Sequence, residues 1–299
     1  MPAIKHFPAK ILLAGEYTVI GGGPALAIPF SRFQGTWSIL DKGLDNRILE
    51  TYDTLIKARL HLPWIDFNTW YTDIHLGKYF FSSIPEGYGL GSSGALCAGI
   101  YERYLADDMI IQHDQLKIRL ATLENAFHGK SSGLDPLVSY LQKPIYSSPD
   151  GIRVLDTLYF PTEYRLFLLD SYTPRKAEFL IKHFHTLMEE NAFAHKVHDQ
   201  WMPAVEQLLE NWLGMGTSTD LWEAYKTISQ WQGKYLTQYI TGTVMAWWKE
   251  GLSTDQYLLK LCGAGGGGYY LGLCRSEDLE HLTLKLPIIP IVHPTLSSL

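Results

Sequence analysis

Apolar residues recur at strand-like spacing from Ile11 to Val19 and from Gln34 to Leu40, and at helical spacing from Asn46 to Leu60. This pattern predicts an α+β opening. Small and apolar residues then recur at helical spacing from Ser92 to Leu105 and from Asp114 to Phe127, which predicts two helices, the first entered through a glycine-rich stretch. The continuous apolar run from Tyr164 to Asp170, YRLFLLD, predicts a buried strand. From Lys176 to Lys249 the period is mostly helical, broken at Gly214 and Gly216, with Thr219 or Asp220 placed to cap the next helix. Strand-like runs return from Tyr257 to Leu261, Gly268 to Cys274 and Pro287 to Val292.

The Pro- and Ser-rich stretch from Gln142 to Asp150 reads as a connection, so two α+β domains are expected, residues 1–154 and 155–299. Six of the nine tryptophans fall between Trp201 and Trp248, where core and inter-helix packing is the favoured reading because large aromatics dominate burial.

Composition narrows the class. With 46% hydrophobic residues in 299, the chain can bury a substantial core, which excludes disorder as its main character. Lys and Arg number 25 against 31 Asp and Glu, and the net charge of -6 gives no general reason to bind nucleic acid. A mean hydropathy of -0.06 and the lack of a long apolar run argue against a membrane span, and the first residues lack the basic-then-apolar order of a secretion signal. A soluble, cytoplasmic protein is expected. The three cysteines, Cys97, Cys262 and Cys274, form no CxxC pair and read as small buried apolar residues.

Four segments carry candidate chemistry. Pro85 to Ala95, PEGYGLGSSGA, runs directly into a helix. Its glycines can turn backbone N–H groups toward an anion, while Ser92 and Ser93 could cap the helix, bond a phosphate oxygen or ligate Mg²⁺. Lys260 to Gly268 places five glycines in six positions between apolar runs, which permits close backbone approach. In Glu124 to Pro136, ENAFHGKSSGLDP, a helix pattern ends in a turn that sets the Asp135 carboxylate just beyond two glycines, eleven residues after Glu124. Two carboxylates brought together by that bend could divide the work of metal ligand and proton acceptor. Finally, Lys10 heads the apolar run of Pro8 to Ile20, where it could snorkel to water or stand as a cation beside a carboxylate.

Taken in order, these segments resemble the signature set of the GHMP kinase superfamily. PAKILLAGEYTVI with Pro24-Ala25-Leu26-Ala27 is similar to the family opening, PEGYGLGSSGA to its phosphate loop, and LCGAGGGG to its last glycine motif. HGKSSGLDP is similar to the HGxPSGxDN element of the mevalonate kinases, as is the segment Asp170 to Arg175 to their strand-end TxxPR. The chain departs from that pattern at Tyr17, where a His is usual and where GEY is a form seen in phosphomevalonate kinases. Gly94 stands for an alanine, and Ser131 and Pro136 stand for the usual Pro and Asn.

The resemblance implies a two-domain fold with an N-terminal part like ribosomal protein S5 domain 2, which binds ATP, and a ferredoxin-like C-terminal part. It implies ATP-dependent phosphorylation of the primary hydroxyl of mevalonate, in isoprenoid precursor synthesis. Asp135 and Lys10 would be catalytic, and Gly89, Leu90, Gly91, Ser92, Ser93 and Gly94 would bind the nucleotide. Ser93 and Glu124 would hold Mg²⁺, and Glu16, Tyr17, Thr173, Arg175, Gly263, Ala264 and Gly265 would meet the acceptor. A homodimer is left open. The alternatives are a phosphomevalonate kinase or another small-molecule kinase of the superfamily and, from a different class, a nucleotide-binding protein without turnover.

Overall fold

The computed structural model describes residues 5–39, 45–58, 62–106, 111–128, 131–175, 177–282, 286–291 and 296–297. Met1 to Ile4, Leu40, Arg59, Leu60, Gly129, Lys130, Lys176 and Val292, which belong to segments read from the sequence, lie outside these. In chain order the elements are β1 (Phe7–Ala14), β2 (Ala25–Ile39), α1 (Asn46–Lys57), α2 (Phe67–His75), β3 (Lys78–Ser82), α3 (Ser92–Tyr104), α4 (His113–His128) and α5 (Leu134–Leu141). There follow β4 (Ile145–Ser148), β5 (Gly151–Val154), β6 (Leu158–Tyr159), β7 (Tyr164–Asp170), α6 (Ala177–Met188), α7 (Asn191–Lys196), α8 (Met202–Trp212), α9 (Ser218–Tyr235) and α10 (Gly242–Thr254). The last strands are β8 (Tyr257–Leu261), β9 (Tyr269–Arg275), β10 (Ile288–Pro290) and β11 (Leu296–Ser297). One sheet has the order β1-β2-β4-β5 with β3 on β2, a second the order β10-β7-β9-β8, and β11 pairs with β6.

The chain divides into two compact units whose segments alternate along the sequence: Met1–Lys10, Ile28–Pro85 and Gly91–Ile145 form the first, and Ile11–Ala27, Glu86–Leu90 and Tyr146–Leu299 the second. In the first unit, β2 and β3 pair antiparallel from Gly35 opposite Ser82 to Ile39 opposite Lys78. The helix α3 is the hub of this unit. Its Ala95, Leu96, Cys97, Ala98, Ile100, Tyr101 and Tyr104 are all buried, so it is covered on every side rather than amphipathic, as its small residues permit. Helix α5 is held on β1, where Ser139 Oγ donates to the Pro8 carbonyl at 2.8 Å and Gln142 Nε2 to the His6 carbonyl at 2.8 Å.

In the second unit, β7, β8, β9 and β10 are all antiparallel to their neighbours, and taken in chain order they lie 4-1-3-2 across the sheet, the order of a ferredoxin-like fold. Strand β7 coincides with the apolar run read from the sequence, and its Leu166, Phe167, Leu168 and Leu169 are buried. Trp201, Trp212, Trp222, Trp231 and Trp248 are buried too, in keeping with a packing role; Trp201 stacks on Trp231 at 4.4 Å between centroids.

Three local expectations need correction. The apolar run from Ile11 does not continue as strand to Val19: β1 ends at Ala14, Tyr17 takes φ 61°, and Thr18–Gly21 is a 3-10 turn. The helix from Asn46 ends at Lys57. The cap of α9 is Thr217, not Thr219 or Asp220. Thr217 Oγ1 accepts from the Asp220 N–H while Asp220 accepts from the Thr217 N–H, a reciprocal capping box that leaves Asp220 in the first turn.

Candidate active site

In the first unit the structure brings together Lys10, Gly91, Ser93, Gly94, Glu124 and Asp135. Lys10 lies in β1, 5% exposed, and its Nζ stands 3.2 Å from Asp135 Oδ1. It does not snorkel to water. Asp135 lies in the first turn of α5, where the unpaired N–H groups and the helix dipole favour an anion. The backbone of Gly91 runs directly against this ion pair: a Cβ there would stand 3.0 Å from Lys10 Cγ and 3.3 Å from Asp135 Oδ2. Gly91 also caps α3, at φ 74° and ψ 43°, with no side-chain bond from the cap, so the positive end of the helix dipole lies beside the ion pair.

Gly94 explains how α3 and α5 approach so closely. A Cβ on Gly94 would lie 2.9 Å from the backbone carbon of Asp135, from its Cβ and from Pro136 N. The alanine usual in this motif would therefore drive the two helix starts apart here.

Glu124, on α4, is buried, with Oε1 accepting from Ser93 Oγ at 3.0 Å and Oε2 accepting from Ser131 Oγ. Burial first, and then the Asp135 charge, push its carboxyl from the ordinary 4.5 up to about 7, while the two hydroxyls and Lys10 pull the other way. A hydroxyl and a carboxylate are hard oxygen donors of the kind that Mg²⁺ takes, and a cation beside Glu124 would favour its charged form. The donor set therefore fits Mg²⁺. Among the described residues no three His, Cys, Asp or Glu cluster as a transition-metal site would require. The Cys97 thiol, close enough to Glu124 to feel its charge, is pushed up chiefly by burial, and all three cysteines are buried and free.

The remaining candidates lie in the second unit. Gly89 is pressed between the Arg175 guanidinium and the Cys262 carbonyl, and Leu90 is buried. Arg175 N donates to the Gly87 carbonyl at 3.0 Å, and its Nη1 reaches the Cys262 carbonyl at 3.4 Å. The glycine run is packed, not a linker. Gly265, Gly266, Gly267 and Gly268 all have positive φ, Gly266 N donates to the Tyr239 carbonyl at 2.6 Å, and Gly268 N donates to the Thr173 carbonyl at 2.6 Å. A Cβ on Gly268 would fall 2.6 Å from the Tyr88 Cα, so the run is glycine because backbone passes where side chains would stand. Gly263 faces the Arg175 guanidinium in the same way.

Glu16 and Tyr17 are engaged by the fold. Glu16 forms a fully buried ion pair with Lys260, which also donates to the Leu261 carbonyl at 2.8 Å. Tyr17 is buried, donates its hydroxyl to the Ala264 carbonyl at 2.7 Å, stacks on Phe184 at 4.5 Å and meets Tyr239 edge-on at 5.3 Å. Burial pushes its phenol up, so it stays a neutral donor. Either residue would have to leave these partners to meet an acceptor, whereas Thr173 is exposed and Arg175 half-exposed.

Sequence reasoning misses Lys260 and the bridging hydroxyl of Ser131. Lys260 has a signal of its own, a lone cation inside the apolar run YLLKL, the same feature that marks Lys10.

Residues 50–143 match the family of GHMP kinases N terminal domain. No curated protein matches the chain by sequence. Among solved structures, the L. major mevalonate kinase in complex with R-mevalonate is similar at TM-score 0.68 and 15% identity, over 99% of this chain and 98% of that one. The Streptococcus pneumoniae phosphomevalonate kinase in complex with phosphomevalonate and AMPPNP is similar at 0.65 and 16%, over 97% and 100%. The Lactococcus lactis galactokinase complexed with galactose is similar at 0.62 and 12%, over 97% and 93%. Residues 50–143 are thus similar to a GHMP kinase N-terminal domain, and the chain has the α+β, two-unit fold of these GHMP kinase structures. That fold is shared by kinases of three different acceptors, so it does not by itself select one. Among the described residues no helix is long and apolar enough to cross a membrane.

Proposed function

We propose that this protein transfers the γ-phosphoryl group of ATP to the primary hydroxyl of mevalonate, giving 5-phosphomevalonate and ADP. The observation that carries the reading is the Lys10–Asp135 pair at 3.2 Å, set against Gly91 at the N-terminus of α3, the positive end of that helix's dipole. Phosphoryl transfer asks for little covalent help and much positioning and charge stabilisation, which is what these groups supply.

In this reading the N–H groups of Gly91 to Gly94 hold phosphate oxygens with the help of the α3 dipole. Asp135 accepts the proton of the acceptor hydroxyl as its oxygen forms the bond to the γ-phosphorus. The bond from that phosphorus to the bridging oxygen breaks, and its electrons leave with ADP. Lys10, paired with Asp135, stabilises the developing alkoxide. Ser93 and Glu124 would hold Mg²⁺, which supplies neutralisation of charge on the β- and γ-phosphates. The acceptor contacts are proposed to come from Thr173, Arg175 and the Gly263 to Gly265 backbone, with Glu16 and Tyr17 supporting that wall.

A coupled ADP-release assay with mevalonate, phosphomevalonate and galactose as separate acceptors tests the reading. Turnover with mevalonate alone supports it. Turnover with phosphomevalonate instead would move the protein to the second reading, which Tyr17 in its Gly15-Glu16-Tyr17 context favours. ATP binding with no ADP release for any acceptor would leave a nucleotide-binding protein without turnover.

A further inference from the structure

Two carboxylates of the candidate site, Glu124 and Asp135, sit on different helices of the first unit, α4 and α5. Something must hold them near each other without letting either turn away. Ser131 is placed to do so. Its Oγ donates to Glu124 Oε2 and accepts from the Gly133 N–H at 2.9 Å, and Gly133 is the cap of α5, two residues before Asp135. Its own N–H donates to Asn125 Oδ1 at 2.7 Å, so the residue is also anchored to the end of α4. One hydroxyl thus joins the side chain of Glu124 to the turn that aims Asp135. With Ser93 Oγ on Oε1, both carboxylate oxygens of Glu124 are oriented by hydroxyls.

We propose that Ser131 is a positioning residue: its hydroxyl fixes the Glu124 carboxylate relative to the first turn of α5, and so sets the geometry in which Glu124 and Asp135 act. The inference rests on the kinase reading above and adds a residue whose side chain that reading does not use. Ser131→Ala removes both the donor to Glu124 and the acceptor for Gly133. Ser131→Thr keeps both.

Three measurements on the full chain test it. In turnover, Ser131→Ala raises the Mg²⁺ concentration for half-maximal rate about tenfold, the loss expected for one hydrogen bond to a charged group, and leaves the acceptor KM within about twofold; Ser131→Thr returns the Mg²⁺ dependence to that of the wild type. Electron paramagnetic resonance of Mn²⁺ with AMPPNP, which needs no turnover, shows a matching loss of bound Mn²⁺ in Ser131→Ala. A urea-unfolding cycle of Ser131→Ala, Glu124→Met and the double variant shows a double-variant midpoint shift smaller than the sum of the two single shifts, because the methionine has no oxygen to accept from Ser131 and the same bond is lost in each. Unchanged Mg²⁺ dependence and Mn²⁺ binding in a folded Ser131→Ala protein, equal losses in the alanine and threonine variants, or additive urea shifts would overturn the proposal. A wild-type protein that releases no ADP would defeat the kinase reading instead, and the urea cycle would still judge the Ser131 bond.

Discussion

Asp135 Cβ lies 2.9 Å from the place where a Cβ on Gly94 would stand. The contact joins the start of α3 to the start of α5 and makes the side-chain-free position 94 a condition for where Asp135 sits. Gly94→Ala would gain at most about 1 kcal/mol from helix propensity. It would lose about 1–3 kcal/mol to overpacking, because the atoms it meets are the backbone of Asp135 and Pro136 and have no cheap way to yield. The expected outcome is a net loss of stability in urea unfolding, with a larger loss of kcat than of acceptor binding as Asp135 is displaced. A Gly94→Ala protein with unchanged kcat would show that α5 can move without consequence.

Asp135→Ala should lower phosphorylation at least about a hundredfold, the low end for losing acid–base help at the reacting hydroxyl. It should also cost some stability, because Lys10 is 5% exposed and would lose the carboxylate 3.2 Å from its ammonium. ADP release in the coupled assay, read alongside a thermal melt, separates the two effects. Turnover close to that of the wild type in a folded variant would remove Asp135 from the chemistry.

Much of this arrangement is legible in the amino-acid sequence, for physical reasons that differ by segment. The run YRLFLLD is too continuously apolar for anything but a buried element and too short for a helix, and it is β7. The glycine-rich entrance followed by small residues at helical spacing is α3 with its glycine cap. Lys10 and Asp135 stand out because a cation on an apolar strand and a carboxylate after a glycine turn each need a partner, and each is the other's. What spacing does not reveal is local competition for polar groups. Thr217 caps α9 because Asp220 can return its bond, a choice that periodicity alone does not separate from Thr219. Tyr17 breaks an apolar run with φ 61°, and nothing in GEYTVI marks where the strand must stop. Ser131 reads as a mere departure from a motif until its hydroxyl is seen on Glu124.

The Glu124 carboxyl, raised from 4.5 to about 7, makes stability depend on pH in a definite direction. Between those two values the native chain keeps a proton on Glu124 that the unfolded chain has released. Stability therefore falls as pH rises from about 4.5 to about 7 and levels off above that. Glu124→Gln, which cannot ionise, should flatten this part of the profile. Urea midpoints at pH 5, 6 and 7 in both proteins would check it, with other groups cancelling in the difference. A wild-type midpoint that rises over that range relative to the variant would reverse the sign and remove the argument.

The Lys260–Glu16 pair offers the last and sharpest test, because both side chains are fully buried. Burying two charges costs several kcal/mol per ion, and their attraction returns this only while both are present. Lys260→Met should therefore destabilise the protein by about 3–5 kcal/mol, since it leaves Glu16 charged or protonated in an apolar surround. Adding Glu16→Gln should recover a large part of that loss, because an amide of the same shape carries no charge to strand. Urea unfolding of the two single variants and the double variant measures the coupling. If Lys260→Met fails to fold, recovery of a cooperative transition in the double variant carries the same information. The pair also lies one residue before Tyr17, whose hydroxyl holds the Ala264 carbonyl at 2.7 Å, so the acceptor KM should rise in Lys260→Met and fall back in the double variant. Additive losses in stability would mean that the two charges are solvated independently, and the pair would then have no part in holding Tyr17 against the glycine run.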